Sequence, residues 1–581
     1  MKSIYKRLKT AKKITLLFLV VIQLSACESF LETTPTDFLS PQNFYSSQPQ
    51  LTAALLGVYS PLLNWETYGF AIPCLQECVT DEGFYNTAII VSNNDVGLNT
   101  QAYTSYTPNL FWKQCYTGIE RANQLIANIG NAQNVDTTFI KAVKSEAKFL
   151  RGYYHFMLVQ NFGDVPLKIS PTTDATVTNI ARTPAAEVYK QILQDMTEAE
   201  AGLPTYQSDI YAGSTSRITK TAAEGILARV CLYMAGYPIN DNSKYAAALT
   251  WAQKVKDSGI HSLYTMADTV ANVINLRGMK LAYPTTNGNP AYKNNGYAQL
   301  FLNMTTNKYS PRESMWEIDA SIVSSTSYAY NTYLGTQVGI AIYGNDPILG
   351  TCSPYINVHQ YLFNLYATGD LRRDWAIAPY TISYTAATNT SARSFYTANQ
   401  SLNRSVGKWR REYEPLGAGL TTKPKWNSQI NFPVIRYADV LLMLCEAEFK
   451  INGATPIALD AINQVRRRAF GASTQADITT PNASVDLTAA TLTLDEIQKE
   501  RARELCFEGV RKADLIRWGI YMQRMQDIIT NVNSVGQPSG WRSNALMSPQ
   551  NTINAGPKVL LWPIPSSEVL VNTAITQNPG Y

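Results

Sequence analysis

Histidine is scarce: the 581 residues contain three, at positions 155, 261 and 359. His155 falls inside a helical pattern and reads as structural. This scarcity argues against a Ser-His-Asp hydrolase, and no H-E-x-x-H, G-x-S-x-G or Walker A pattern occurs. A glycosidase, which needs only two carboxylates, stays open among 44 acidic side chains. Cysteine is also sparse. Cys231, Cys445 and Cys506 stand among apolar residues in helical patterns, where a free thiol behaves as a small hydrophobe. Cys74 and Cys78 could form a bridge or half of a metal site, but no His/Cys pair follows at zinc spacing. No metal and no cofactor is expected. Excess charge is missing too, once its location is considered. The net charge is +5 from 49 basic and 44 acidic side chains. Residues 1–26 hold six basic and no acidic side chains, which leaves the remainder at 43 against 44. The apparent basicity therefore argues nothing for a nucleic-acid partner.

Long apolar runs are absent apart from Ile14–Ile22, which is shorter than the ~20 residues a membrane-spanning helix needs. It follows a basic segment, Lys2 to Lys13, and this order reads as a signal peptide over residues 1–26. The run meets Leu24-Ser25-Ala26-Cys27, which looks like a bacterial lipobox with Cys27 as the acylated residue. Stable anchoring takes more than one acyl chain. Residues 27–47, with Pro35 and Pro41, read as a lipidated tether, and residues 48–581 as a single mostly α domain.

Aromatic residues are plentiful, with 35 Tyr and 10 Trp. Phe139, Val143, Ala147, Leu150, Tyr154 and Leu158 mark one face of a helix. Residues 185–200 form another, with Thr183 as N-cap, Pro184 in the first turn and Leu203-Pro204 as the stop. Residues 219–257 read as helix, break at Gly236/Pro238, helix. Residues 437–469 repeat the pattern around Asn452-Gly453, with Ala248-Leu249 matching Ala458-Leu459. Such pairs look like degenerate TPR units, around 138–257 and 434–526. The stretches 270–310, 325–345 and 376–405 lack helical period. They are rich in Tyr, Asn, Thr, Ser and Gly, and read as long loops or short strands of the kind that carry function.

Several segments resemble the SusD/RagB family. They are Ala147-Lys148-Phe149-Leu150-Arg151-Gly152-Tyr153-Tyr154-His155-Phe156 with its exit Phe162-Gly163-Asp164-Val165-Pro166-Leu167, Arg217-Ile218-Thr219-Lys220, Ile435-Arg436-Tyr437-Ala438-Asp439-Val440-Leu441, Glu500-Arg501-Ala502-Arg503-Glu504-Leu505, Asp514-Leu515-Ile516-Arg517-Trp518, Leu561-Trp562-Pro563-Ile564-Pro565 and the terminal Thr576-Gln577-Asn578-Pro579-Gly580-Tyr581. They come in the family's order and span the chain. Leu-Trp-Pro-Ile-Pro departs from the expected Leu-Leu-Pro-Ile-Pro. The resemblance implies a SusD-like fold, mostly α, with TPR-like helix pairs and a loop-rich ligand region bearing a few short strands. It implies a non-enzymatic outer-membrane, surface-exposed lipoprotein that binds a nutrient, most often a glycan, and delivers it to a SusC-like TonB-dependent transporter. A peptide or other nutrient is the alternative. A glycoside hydrolase or a TPR scaffold is a more distant one, and a scaffold would not need long aromatic loops.

The charges in these motifs have a structural reading. Arg436, Glu446, Glu500, Arg501, Arg503, Glu504, Arg511, Asp514 and Arg517 lie on helices among apolar residues, where buried charges must be paired. No ligand residue transfers by motif. By elimination, Trp112, Trp251, Trp316, Trp518 and Trp562 read as core, whereas Trp65, Trp375, Trp409, Trp426 and Trp541 lie in loop-like surroundings. Trp65 and Tyr68 flank a turn and precede Asp81, Glu82, Tyr85 and Asn86, and Tyr297, Tyr309 and Tyr343 come from the middle insertions. These are the expected ligand contacts, and each reads equally as a packing residue.

Overall fold

The computed structural model describes residues 3–5, 44–86, 95–174, 179–206, 216–270, 273–279, 295–308, 310–321, 332–397, 401–534 and 539–581. Cys27, the tether before residue 44 and Tyr309 lie outside the described residues.

Helix α1, Gln48–Tyr59, starts where the Gln50 side chain accepts the Ser47 N–H at 3.1 Å and buries Leu51, Leu55 and Val58. Helix α2 covers Tyr106–Asn128 and α3 Thr137–Phe162. Asp136 Oδ1 caps α3 by accepting from Thr138 and Phe139 N–H at 2.8 and 3.0 Å. Gly118 lets α2 approach closely, because a Cβ there would sit 2.2 Å from the Tyr154 ring. Helix α4, Ala185–Glu200, corrects the expected cap. Pro184 is the N-cap, and the Ala185 N–H goes to Asp164 Oδ1 at 2.8 Å. Thr183 instead bridges the Val165 backbone, so its extended strand-like pairing removes it from the capping position.

Both expected helix pairs form. Helices α5, Lys220–Ala235, and α6, Lys244–Asp257, pack together. Thr219 Oγ1 accepts the Ala222 N–H at 3.3 Å and starts the first of them. Helix α7, Gly296–Thr305, lies inside a stretch expected to lack helix. Asn295 caps it through the Ala298 N–H at 2.9 Å, and nearly every residue of it is buried, so no amphipathic period shows. The second pair is α8, Tyr437–Asn452, and α9, Pro456–Ala469, with α8 also packed on α6. Helices α10, Leu494–Leu505, α11, Arg511–Arg517, α12, Tyr521–Ser534, and α13, Ser539–Ala555, follow, and the other α-helices among the described residues are of seven residues or fewer. One hydrophobic cluster runs from Leu51 to Ile575, and the buried residues of α12 fall in two smaller clusters beside it, with Ala545 of α13 and Leu515 of α11.

Strands are short and few. Strand β1, Gly83–Tyr85, pairs antiparallel with β5, Ile356–Val358; β2, Ser314–Ile318, pairs with β8, Phe432–Arg436. The remaining strands are β3, Ile342–Asp346, β4, Gly350–Cys352, β6, Tyr380–Thr385, and β7, Thr390–Phe395. They form a sheet of order β4-β3-β6-β7.

The motif charges form a buried lattice. Arg436 reaches Glu313 and Glu504 at 3.1 Å and Glu508 at 2.7 Å. Arg372 reaches Asp370 and Glu500 at 2.7 Å and Glu504 at 3.0 Å, and Arg468 also binds Glu504. Arg501 joins Asp439 at 2.7 Å to Asp514 at 2.8 Å, and Arg517 reaches Glu446. Burial alone would raise these carboxyls. The guanidiniums of Arg468, Arg436 and Arg372 nonetheless hold Glu504 at about 2, and Arg501 and Arg229 hold Asp439 at about 2. Glu77 and Glu82 are exceptions, both raised by burial. Glu77 is pushed up to about 7, its Oε1 accepts the Gly509 N–H, and its Oε2 has no hydrogen-bond partner.

Trp375 and Trp409, expected in loops, are fully buried. Arg410 lies 3.9 Å from the Trp375 ring centre, so both members of that pair are interior. Cys74 and Cys78 are buried, unbridged thiols.

Candidate aromatic ligand site

The segment after α1 folds as two tight turns, Trp65–Gly69 and Ala71–Leu75. Asn64 organises the first. Its Oδ1 accepts the Trp65 N–H at 2.8 Å, and its carbonyl accepts from Thr67 and Gly69 N–H at 3.1 and 2.9 Å. A Cβ on Gly69 would lie 2.7 Å from that carbonyl, so only glycine closes the turn. Thr67 Oγ1 donates to the Pro61 and Leu62 carbonyls at 2.8 and 2.7 Å, which fixes the turn from within.

The result is an array of rings. Trp65 stacks on Phe70 at 4.7 Å and meets the edge of Tyr106, at the start of α2, at 6.1 Å. Phe70 in turn meets Tyr333 at 5.4 Å and Tyr355 at 5.9 Å, and Tyr355 meets Tyr85 at 5.7 Å. Phe70 is buried and anchors the group. Trp65, Tyr333 and Tyr355 are half-buried, and Tyr106 is 44% exposed. The Tyr333 N–H donates to the Gly69 carbonyl at 3.0 Å, which ties the third segment to the turn. Polar groups border the rings. Asn64 is exposed; Asn86 is half-buried and donates to the Pro354 carbonyl at 3.2 Å. Glu66 is buried with Oε2 unpartnered; burial raises its carboxyl, and the hydrogen bond from Tyr106 partly opposes that.

The structure brings together Trp65, Asn86 and the ring of Tyr85, and it places the other expected contacts elsewhere. Tyr85 itself is interior, at the back of the array. Tyr68 is buried and bonds the Tyr153 hydroxyl. Asp81 and Glu82 belong to the ion lattice: Asp81 pairs with Arg511 at 2.7 Å and Arg524 at 3.3 Å, and Glu82 accepts the Phe507 N–H at 3.1 Å. Tyr297 is buried on α7 with its hydroxyl on the Glu504 carbonyl. Burial removes all four from the surface. Tyr343 is 55% exposed, but on the four-stranded sheet rather than in the array. Sequence reasoning missed Glu66, Phe70, Tyr106, Tyr333 and Tyr355. Tyr333 lay within the stretch 325–345, expected to be functional; for the others the only signal was nearness to Trp65 or to a loop proline, which is weak.

Two family models match, the SusD family over residues 239–581 and "Starch-binding associating with outer membrane" over residues 29–232. The chain belongs to the SusD family. SusD-like protein P2 of Formosa agariphila is 26% identical, the alignment covering 98% of this chain and 100% of that one. Starch-binding protein SusD of Bacteroides thetaiotaomicron is 23% identical over 75% of this chain and 72% of its own. The crystal structure of a SusD homologue from Bacteroides thetaiotaomicron has a TM-score of 0.77 at 25% identity, covering 93% of this chain and 98% of that one.

SusD-family motifs far apart in this sequence meet in space. The Trp562 N–H donates to the Asn161 carbonyl at 2.6 Å. Asn578 Nδ2 donates to the Phe162 and Trp562 carbonyls at 2.9 and 2.7 Å. The C-terminal Asn-Pro-Gly-Tyr thus clamps the exit of α3, which gives those motifs a packing role. Two of the histidines are fully buried, and burial holds His155 down at about 4 and His359 at about 3, so both rings are neutral. No helix among the described residues is long and apolar enough to cross a membrane.

Proposed function

We propose that this SusD-family chain is a lipid-anchored outer-membrane protein that captures an oligosaccharide on the Trp65 array and passes it to a SusC-like TonB-dependent transporter, without turnover. The observation that carries the binding site is the half-exposed ring group Trp65, Tyr106, Tyr333 and Tyr355 beside a buried carboxylate oxygen, Glu66 Oε2, that lacks a partner. Sugar rings present apolar C–H faces and a hydroxyl rim. Aromatic faces cover the first, and carboxylate and amide groups pair with the second. The starch-binding name of one relative supports a glycan as the nutrient, and the outer-membrane description of the N-terminal family supports the location. Cys27 is the proposed site of acylation, and residues 48–581 form the binding domain.

Calorimetry of the protein against a glycan panel, with product analysis after long incubation, tests the reading. Binding with a Kd of about 1 μM to 1 mM, or roughly −8 to −4 kcal/mol, is expected for a capture protein that must release its cargo. Longer oligosaccharides should bind better than monosaccharides, and the ligand should be recovered uncleaved. Cleavage would replace this reading with an enzyme, and binding of peptides alone would replace the glycan. Loss of membrane attachment and lipid labelling in Cys27→Ala, and co-purification with a TonB-dependent barrel, check the anchor and the partner.

A further inference from the structure

A second concavity lies away from the ring array. It is a cleft of about 620 Å³ between the exit of α3, the turn after α5, helix α11 and the C-terminal segment, and it shares no residue with the array. Its lining carries four cations, Arg182, Lys512, Arg517 and Lys558, and a single carboxylate, Asp164. Arg517 is neutralised by Glu446 and Asp514. The other three cations form no ion pair among the described residues. Arg182 donates to the carbonyls of Asp164, Thr576 and Phe162 and to the Asn578 amide oxygen, all of them neutral acceptors. Lys558 lies over the Tyr581 ring at 5.1 Å. Lys512 is the most enclosed. It is 9% exposed, its ammonium has one long hydrogen bond, 3.4 Å to Asn99 Oδ1, and it lies 5.8 Å from the Tyr521 ring centre. Asp164 attracts Arg182, but it is one negative charge against three cations, and its Oδ1 also caps α4.

This differs from the buried lattice around Arg436. In the lattice around Arg436, each guanidinium meets two or more carboxylates. A buried ammonium without a counter-ion is costly, and desolvation alone pushes Lys512 down to about 8. A cleft lined by one sign of charge with low-dielectric walls concentrates the opposite sign. The remaining wall is largely apolar, with Tyr237, Ile239 and Leu561 at or near the surface. Pockets with apolar walls and a few convergent polar groups are the usual form of a small-molecule site.

We propose that this cleft is a second ligand site, separate from the Trp65 array, that takes a small organic carboxylate with its anionic end at Lys512 and its apolar face against Tyr237, Ile239 and Leu561. The carboxylate can come from an aliphatic acid or from a uronic acid of a glycan. Both present the same anionic end, and the wall distinguishes them only by how much apolar area they bury.

The test is calorimetry of the full chain with octanoate, with digalacturonate and with neutral octanol. Octanoate binding alone identifies an aliphatic source, digalacturonate binding alone a uronate source, and either supports the site. Lys512→Met should weaken binding at least tenfold while leaving the melting temperature unchanged or higher, since it removes an unpaired buried charge and keeps the side-chain volume. Trp65→Ala should leave carboxylate binding unchanged. Ile239→Trp, at the partly exposed wall, should block binding by filling the cleft and serves if Lys512→Met fails to fold. Absence of binding by both acids, octanol binding as tightly as octanoate, or carboxylate binding that survives both variants overturns the proposal.

Discussion

The ion lattice around Arg436 and the ring array around Trp65 use the two most conspicuous residue classes of this chain in opposite ways. In the lattice, Arg372, Arg436, Arg468 and Glu504 are fully buried, and each meets several opposite charges. In the array, one ring, Phe70, is buried to hold the others, while Trp65, Tyr106, Tyr333 and Tyr355 keep part of their faces open. The charges are internally satisfied, so they position helices α8 to α11 against one another. The rings and Glu66 Oε2 are not, so they have capacity left for a ligand. The residues that look most chemical in the sequence are thus scaffold, and a tryptophan in a short turn carries the interaction surface.

Breaking the lattice should have the largest effect. Arg436→Met removes the cation that Glu313, Glu504 and Glu508 share and leaves each carboxylate under-compensated, with only Arg468, Arg372 and Lys408 remaining on them; removing one partner of a buried ion pair costs about 3–5 kcal/mol. Urea denaturation should show this loss, and a variant that unfolds at an unchanged midpoint would refute the structural role. Acid should attack the same region. Asp439 and Glu504 sit at about 2, below the ordinary carboxylate value near ~4. Their folded values are depressed, so the stability they contribute is present above ~4 and is lost as the pH falls from ~4 through about 2. Each contributes on the order of 2 kcal/mol. Melting temperature against pH should therefore drop steeply in that window, and a flat profile there would contradict the pairing.

The array should respond in binding rather than in folding. Trp65→Ala is expected to weaken oligosaccharide binding by about 1–3 kcal/mol, the loss of one aromatic anchor. Its melting temperature should stay close to that of the parent, because Trp65 is only half-buried. Tyr85→Ala sharpens the contrast: that ring is 2% exposed, so the change should cost stability by about 3 kcal/mol, as for other buried rings. The smallest effect concerns Glu77, whose carboxyl is raised to about 7. A raised carboxyl favours the fold below its unfolded value of ~4 and loses that contribution as the pH rises through about 7. Glu77→Gln keeps an acceptor for the Gly509 N–H and should stabilise the protein by about 1–2 kcal/mol at pH 8, with little change at pH 4. Equal effects at the two pH values would show that Glu77 is not the titrating group.

Much of the architecture was legible beforehand because helical period and cap residues are local signals. The face Phe139 to Leu158 and the two helix pairs needed only sequence spacing, and all three formed. Helix α7 was hidden for the opposite reason: it is buried almost all round, so no apolar stripe marks it. The pairing of the motif charges was also legible, since a helix buried among apolar residues cannot leave charges uncompensated.

The partners could not be named in advance. Asp81 and Glu82, expected beside Trp65 as ligand contacts, are drawn instead to the Arg511 side of the chain, some 430 positions away in sequence. Trp375 and Trp409 are interior because Arg410 and Phe301 pack on them. The ring array unites residues 65, 70, 106, 333 and 355, which share no spacing. The sequence by itself determined the helical elements and which charges need partners, because both follow from local periodicity and the cost of burial. Only the tertiary structure decided which aromatic faces stay open and which cations stay unpaired, because exposure is set by what packs from distant parts of the chain.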